Sequence, residues 1–172
     1  IPGLEIIPMF QELDGTFPNH EANPLKESNL DVLRDAVKEH GAALGLSFDG
    51  DADRCAFVDE DGRTVLADLI TVILARGFLE RHPGKGIIYD LRSSKVLPEE
   101  VARLGGRPVR ERVGHSFMKE TMRKEDCIGG GELSGHFYFA ENFYTDCGVL
   151  AAIEVLNQLS KEGRSLKQAA DE

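Results

Sequence analysis

The sequence predicts an α/β protein. Apolar segments of helical and of strand length alternate from Leu66 onward, Gly and Pro punctuate them, and two apolar runs flank an acidic turn before that point. In chain order, the first 41 residues predict a short strand over 5–7 and a Pro- and Asn-rich loop over 14–24. A helix then carries Leu30, Leu33 and Val37 at helical spacing. Ser28 with Asp31 three residues on forms a capping-box pattern, and Gly41 ends that helix. Ala43-Leu44-Gly45-Leu46-Ser47-Phe48 and Cys55-Ala56-Phe57-Val58 predict two strands, and Asp59-Glu60-Asp61-Gly62 closes the second as a hairpin. A broadly apolar helix over 68–80 stops at Pro83-Gly84 and is followed by a strand over 86–90. A helix over 98–104 ends at Gly105-Gly106, and a short strand over 108–111 leads to a helix that opens near Ser116, read as its cap, and runs to about 124. Strands over 127–130 and 136–140 come next. Val149, Leu150, Ile153, Leu156 and Leu159 then give the last helix an apolar stripe. The change of pattern over 63–67 divides the chain into units 1–64 and 65–172.

Composition excludes several classes of function. The chain has 172 residues, 41% hydrophobic and 29% charged, as expected of a globular protein. A formal charge of −10 disfavours nucleic acid and anionic membrane surfaces as partners, so an anionic ligand needs a local basic pocket. No apolar run approaches the ~18–20 residues that cross a bilayer, and no secretory leader pattern is present, so the cytoplasm is the expected location. Cys55, Cys127 and Cys147 are odd in number and widely spaced, which predicts buried reduced thiols. The first residues lack a starting Met and the last follow a new helical start at Ser165, so the chain reads as part of something longer.

Chemistry concentrates in Asp49-Gly50-Asp51-Ala52-Asp53-Arg54. Three carboxylates at alternate positions repel one another unless a hard divalent cation such as Mg²⁺ sits among their oxygens. Arg54 adds one positive charge, so three carboxylates, a dication and a guanidinium sum to zero and a phosphate oxygen can approach. An EF-hand also has Asp at its first, third and fifth positions and an acid at the twelfth, here Glu60. Its sixth position needs Gly, where Arg54 stands, and its flanks must be helical. A haloacid-dehalogenase-type phosphatase likewise has Asp-x-Asp after a strand but expects Thr at the place of Asp53. A solvated acidic turn without ligand is the bland alternative.

A second constellation is Gly129-Gly130-Gly131-Glu132-Leu133-Ser134-Gly135-His136. It sets a carboxylate, a hydroxyl and an imidazole at alternate positions among glycines that allow close backbone approach to a ligand, an inventory that suits sugar hydroxyls.

Together these two motifs resemble the α-D-phosphohexomutases, the phosphomannomutase and phosphoglucomutase family. That family carries an Asp-Gly-Asp-x-Asp-Arg metal loop followed by a Gly-Glu-x-Ser-Gly-His sugar loop. Asp14-Gly15-Thr16-Phe17-Pro18-Asn19-His20, Asp90-Leu91-Arg92-Ser93-Ser94-Lys95 and Val113-Gly114-His115-Ser116 extend the resemblance over nearly the whole chain. It implies two α/β units with mixed sheets flanked by helices: the latter part of the second of four domains (1–64) and the third (65–172). It also implies Mg²⁺ on Asp49, Asp51 and Asp53, with Arg54 beside the transferring phosphoryl group. Glu132, Ser134 and His136 would face the sugar. Arg92, Lys95 and His115 would surround the reacting centre of a hexose phosphate.

Where the family often has Lys, this chain has Arg92, which stays protonated and suits charge stabilisation, leaving His115 as the better acid or base. The family's phosphoserine loop lies in its first domain and a phosphate-binding loop in its fourth; neither pattern occurs here, and Ser116 is not followed by Asn-Pro. The isolated chain is therefore expected to be incomplete as a catalyst, needing the first and fourth domains. A non-catalytic Ca²⁺-binding or structural module and a Mg²⁺-dependent phosphatase are the alternatives. A loop hydrogen bond accounts for His20 as well as a site role does, and His40 and His82 sit at helix ends where the dipole favours them.

Overall fold

The computed structural model describes residues 3–12 and 14–171 and contains two sheets joined by one core. A 3₁₀ turn, Glu27–Leu30, leads into α1 (Asp31–His40), which Gly41 ends in the left-handed conformation at φ 60°. The antiparallel strands β1 (Leu44–Phe48), β2 (Cys55–Asp59) and β3 (Thr64–Val65) follow, with α1 packed on β1 and β2. Helix α2 (Ala67–Arg81) is buried nearly all round, as an almost uniformly apolar helix must be. After it come β4 (Gly86–Asp90), α3 (Val96–Arg103), β5 (Arg107–Glu111), α4 (His115–Lys124), β6 (Cys127–Gly131), β7 (Phe137–Phe139) and β8 (Thr145–Asp146). Helices α5 (Gly148–Glu162) and α6 (Leu166–Ala170) complete the chain; α6 starts with a full capping box from Ser165 to Gln168.

The larger sheet has the order β5-β4-β6-β7-β8; β4 runs parallel to β5 and β6, whereas β7 and β8 are antiparallel additions. All five residues of the central strand β4 are buried, which explains its unbroken apolar run. Its side chains alternate between two cores: Ile87 and Tyr89 join the main cluster with α2, while Ile88 meets Met118, Met122 and Tyr138 under α4. Phe57 of β2 packs edge-on against Phe137 of β7 at 5.9 Å, so the small sheet shares the main core.

Three expectations need correction. Residues 5–7 form no strand, because nothing among the described residues pairs with them. The Ser28–Asp31 capping box is absent: Ser28 lies within the 3₁₀ turn, and Leu30 occupies the cap position without a side-chain bond. The stripe read on α5 is also shifted. Val149 and Ile153 are exposed, while Ala151, Ala152 and Val155 face inward, since small residues let α5 approach α2 closely.

The Gly129-Gly130-Gly131 run also has a different purpose from the one expected. An added Cβ would lie 2.4 Å from Phe78 Cε2 at Gly129, 1.9 Å from the Ile88 carbonyl oxygen at Gly130 and 2.3 Å from Thr71 Oγ1 at Gly131. These glycines admit α2 and β4 and not a ligand. Gly130→Ala, blocked by backbone that cannot yield, is expected to cost about 3 kcal/mol or more by overpacking. Urea unfolding of the two proteins checks this.

Candidate metal and sugar-phosphate site

The parallel strands β4, β5 and β6 all deliver their following loops to one edge of the larger sheet, the carboxyl edge where ligands of open α/β sheets bind. After β4 come Arg92 and Lys95, after β5 comes His115, and after β6 come Glu132, Ser134 and His136. The acidic turn between β1 and β2 is brought to the same edge. Arg54 and His136 form an antiparallel bridge, and the Cys55 amide donates to the Gly135 carbonyl at 3.1 Å.

Within the acidic turn, ligand oxygens of Asp49, Asp51 and Asp53 all lie within 4.8 Å of one another. Asp49 is almost buried and accepts from the Arg54 amide at 3.1 Å and from Arg54 Nε at 2.6 Å. Burial opposes its charge, but the Arg54 side chain and amide outweigh that and hold its carboxyl below the ordinary range. Asp53 moves the other way: burial, then the adjacent Asp49, push its carboxyl up. Among the described residues its Oδ1 is buried without a hydrogen-bond partner, an arrangement that a cation among these oxygens would satisfy. Asp51 is exposed and carries no protein hydrogen bond among the described residues. Strands, not helices, flank the turn, which excludes an EF-hand. Phe17 of the 14–20 motif reaches this turn, its Cζ standing 3.7 Å from where a Gly50 Cβ would be. His20, by contrast, makes a loop hydrogen bond from Nδ1 to the Glu21 carbonyl at 2.9 Å and packs on Phe10.

In the opposing loop His136 sits among acceptors. Ser134 Oγ is 2.8 Å from its Nδ1, and Nε2 is 3.5 Å from Asp53 and 3.9 Å from Asp146. Glu132 is 2% exposed, and both its oxygens already have donors: Tyr138 Oη at 2.5 Å and the Gly114 amide at 2.9 Å. Each oxygen keeps a second lone pair, so a hydroxyl can be added to this arrangement. Tyr138→Phe leaves Glu132 Oε2 buried with one donor fewer and is expected to destabilise the fold by about 1–3 kcal/mol. Thermal unfolding measures it.

The remaining expected residues lie at the rim. Arg92 is clamped to Asp90 through Nη2 at 2.8 Å and Nε at 3.3 Å, whereas Lys95 and His115 are exposed, without protein partners among the described residues. Ser116 is not the cap of α4; Gly114 holds that position and Ser116 lies inside the first turn. His82 lies 3.6 Å from Glu141 and far along the chain from this edge, at the end of α2. No disulfide forms: Cys55 and Cys127 are buried, with the Cys127 thiol pushed up to about 11 by burial, and half-buried Cys147 caps α5 by accepting from the Leu150 amide.

Four residues of this region were given no role from the sequence. Asp146, on the two-residue strand β8, pairs with Lys119 at 2.7 Å and approaches His136. Asp90, fully buried, also accepts from the Leu133 amide at 2.8 Å and so ties the Arg92 loop to the Glu132–His136 loop. Asp68 holds the Ser94 amide at 3.0 Å. Tyr138 supports Glu132. An acid at the end of a buried strand, as at Asp90, is a signal that sequence reading can use; Asp146 offers none, because a two-residue strand has no period.

Family models match both parts of the chain. "Phosphoglucomutase/phosphomannomutase, alpha/beta/alpha domain III" matches residues 67–172, and domain II of the same family matches 1–62. A phosphomannomutase of Salmonella montevideo is 44% identical over 163 residues, which is 95% of this chain but 36% of that protein. A phosphoglucomutase of Neisseria meningitidis is 40% identical over 92% of this chain and 35% of its own length. The crystal structure of a phosphoglucomutase/phosphomannomutase family protein from Burkholderia thailandensis superposes with TM-score 0.88 at 34% identity, covering 91% of this chain and 34% of that one. The chain thus spans about a third of the length of these relatives. With its mixed α/β fold and both sequence matches, it belongs to the phosphoglucomutase/phosphomannomutase family.

Proposed function

We propose that this chain is the metal- and sugar-binding middle of a Mg²⁺-dependent phosphohexomutase, acting on mannose or glucose phosphate in the cytoplasm. The observation that carries this reading is the Arg54–His136 bridge, which sets the acidic turn directly against the Glu132–His136 loop. The units 1–64 and 65–172 would be its second and third domains, with the first and fourth domains of the same protein as partners. Asp49, Asp51 and Asp53 would hold Mg²⁺, which when bound draws charge from a transferring phosphoryl group.

The chain's own residues do the positioning. Arg54, its Nε fixed on Asp49, presents the rest of its guanidinium to phosphate oxygens. Glu132, Ser134 and His136 would take hydroxyls midway between the two phosphate positions, so the sugar can bind in either orientation. Arg92, neutralised in part by Asp90, stabilises charge, Lys95 adds a second cation, and His115 carries a proton. In the complete enzyme a phosphoserine gives its phosphoryl group to a hexose 1- or 6-phosphate; the resulting bisphosphate returns the other phosphate to the serine, and phosphate moves between O1 and O6.

Phosphorus NMR of the full-length protein with mannose or glucose 1-phosphate and a trace of bisphosphate tests this reading. Appearance of the 6-phosphate, blocked by EDTA and restored by Mg²⁺, is expected, and the isolated chain is expected to be inactive. Accumulation of inorganic phosphate instead would identify a phosphatase and refute the mutase.

A further inference from the structure

The acidic turn is shaped partly by its own hydrogen bonds and partly from outside. It contains Ala52 in the left-handed region at φ 58°, a conformation unfavourable for a residue with a Cβ and maintained only if neighbours impose it. Within the turn a single backbone hydrogen bond, Ala52 amide to Asp49 carbonyl at 3.2 Å, closes it. The Asp49 carboxylate adds bonds from the Arg54 amide at 3.1 Å and Arg54 Nε at 2.6 Å, and two further constraints come from 80 residues or more further along the chain. The Gly148 amide, first in α5, donates to the Ala52 carbonyl at 2.9 Å, and the Cys55 amide reaches the Gly135 carbonyl at 3.1 Å.

Gly148 does this at a separation that no side chain permits. A Cβ there would stand 2.7 Å from the Arg54 carbonyl oxygen, 2.9 Å from the Arg54 carbonyl carbon and 3.0 Å from the Ala52 carbonyl oxygen. All three are backbone atoms of the turn itself, so no rotamer change relieves the clash. Cys147 fixes the same helix end from the other side, its amide donating to the Phe137 carbonyl at 3.0 Å and its sulfur capping the Leu150 amide.

We infer that Gly148 is a positioning residue for the cation: the bare first residue of α5 presses the Ala52–Arg54 backbone into the form that makes Asp49, Asp51 and Asp53 converge. Any larger residue must displace the turn and spread its carboxylates. This inference rests on the reading of the acidic turn as a metal site.

The test uses the 172-residue chain itself, with Mn²⁺ as the probe, followed by electron paramagnetic resonance and by paramagnetic broadening of amide signals. Wild type is expected to bind Mn²⁺ with broadening centred on residues 49–54, and Gly148→Ala to bind about 10- to 100-fold more weakly, the range seen when groups orienting metal ligands are lost. Leu166→Ala is the control for instability alone: Leu166 is buried in α6, whose neighbour Lys167 pairs with Asp61 at the far end of β2, so this variant should unfold more easily yet keep the wild-type affinity. If Gly148→Ala does not fold, Gly135→Ala tests the second clamp, since its Cβ would meet the Cys55 carbonyl oxygen at 3.2 Å with φ 85°. Equal Mn²⁺ affinity in a folded Gly148→Ala and wild type overturns the inference while the metal reading stands. Absence of Mn²⁺ binding at residues 49–54 in wild type overturns both.

Discussion

Asp51→Asn is expected to lower mutase turnover of the full-length enzyme by about 10³-fold, equivalent to about 4 kcal/mol of barrier, without harming the fold. The separation of the two effects follows from its surroundings. Asp51 is exposed and has no protein hydrogen bond among the described residues, so removing its charge costs the fold no more than about 0.5 kcal/mol. In the metal-free chain the change relieves repulsion, because Asp51 is one of the groups pushing Asp53 up. With the cation present the same change removes one of three charges that hold it, and Mg²⁺ or Mn²⁺ affinity should fall about tenfold or more. Calorimetric titration, thermal unfolding and turnover, measured side by side, check the pattern. Full turnover in Asp51→Asn would end the assignment of the acidic turn as the metal centre.

Asp90→Asn is expected to act through structure first and through the substrate second. Asp90 is completely buried and accepts from the Arg92 amide, the Arg92 guanidinium and the Leu133 amide. An amide of the same shape sets an NH₂ group against one of these donors and leaves Arg92 without its bonded counter-charge, with only Glu132 acting on it from further away. Because Arg92 is itself nearly half exposed, the usual cost of breaking a buried pair is discounted to about 2–3 kcal/mol. In the full-length enzyme the freed Arg92 loop and the Glu132–His136 loop lose their common anchor, so KM for hexose phosphate should rise.

The pH dependence has a definite sign. Burial opposes ionisation of Asp90, but its bonds from Arg92 and Leu133 outweigh it, so the folded carboxyl lies below its ordinary value of 3.8. A depressed carboxyl contributes stability that is fully present above that ordinary value and is lost as pH falls through the lower, folded one. Wild type should therefore lose stability on acidification below about pH 4 more steeply than Asp90→Asn, which has no such group to protonate. Urea titrations of both proteins from pH 7 to pH 3 measure the difference. Parallel losses would show that Asp90 is not the linked group.

Much of this architecture was legible in the residues. The strand over 86–90 and the helices around it were readable because β4 is a short apolar run between glycine and aspartate, and because the flanking helices have Gly or Pro stops. The two strands around the acidic turn were readable for the same reason. The N-terminal strand was not real, since an Ile-Ile pair marks hydrophobicity and not the presence of a pairing partner. The α5 stripe was misplaced because periodicity rewards large side chains, whereas close helix packing on α2 selects Ala151 and Ala152.

By itself the sequence determined which residues are the candidates for chemistry: three alternating aspartates with an arginine, and a Glu-x-Ser-x-His set beyond a glycine run. Only the tertiary structure decided that these sets meet, that Gly129 to Gly131 serve packing, and that Asp90, Asp146 and Gly148 belong to the same edge. The physical reason is range. Period, capping and charge crowding act within a few residues and leave a local signature, whereas a buried carboxylate or a missing Cβ acquires meaning only from what the fold brings within 3 Å of it.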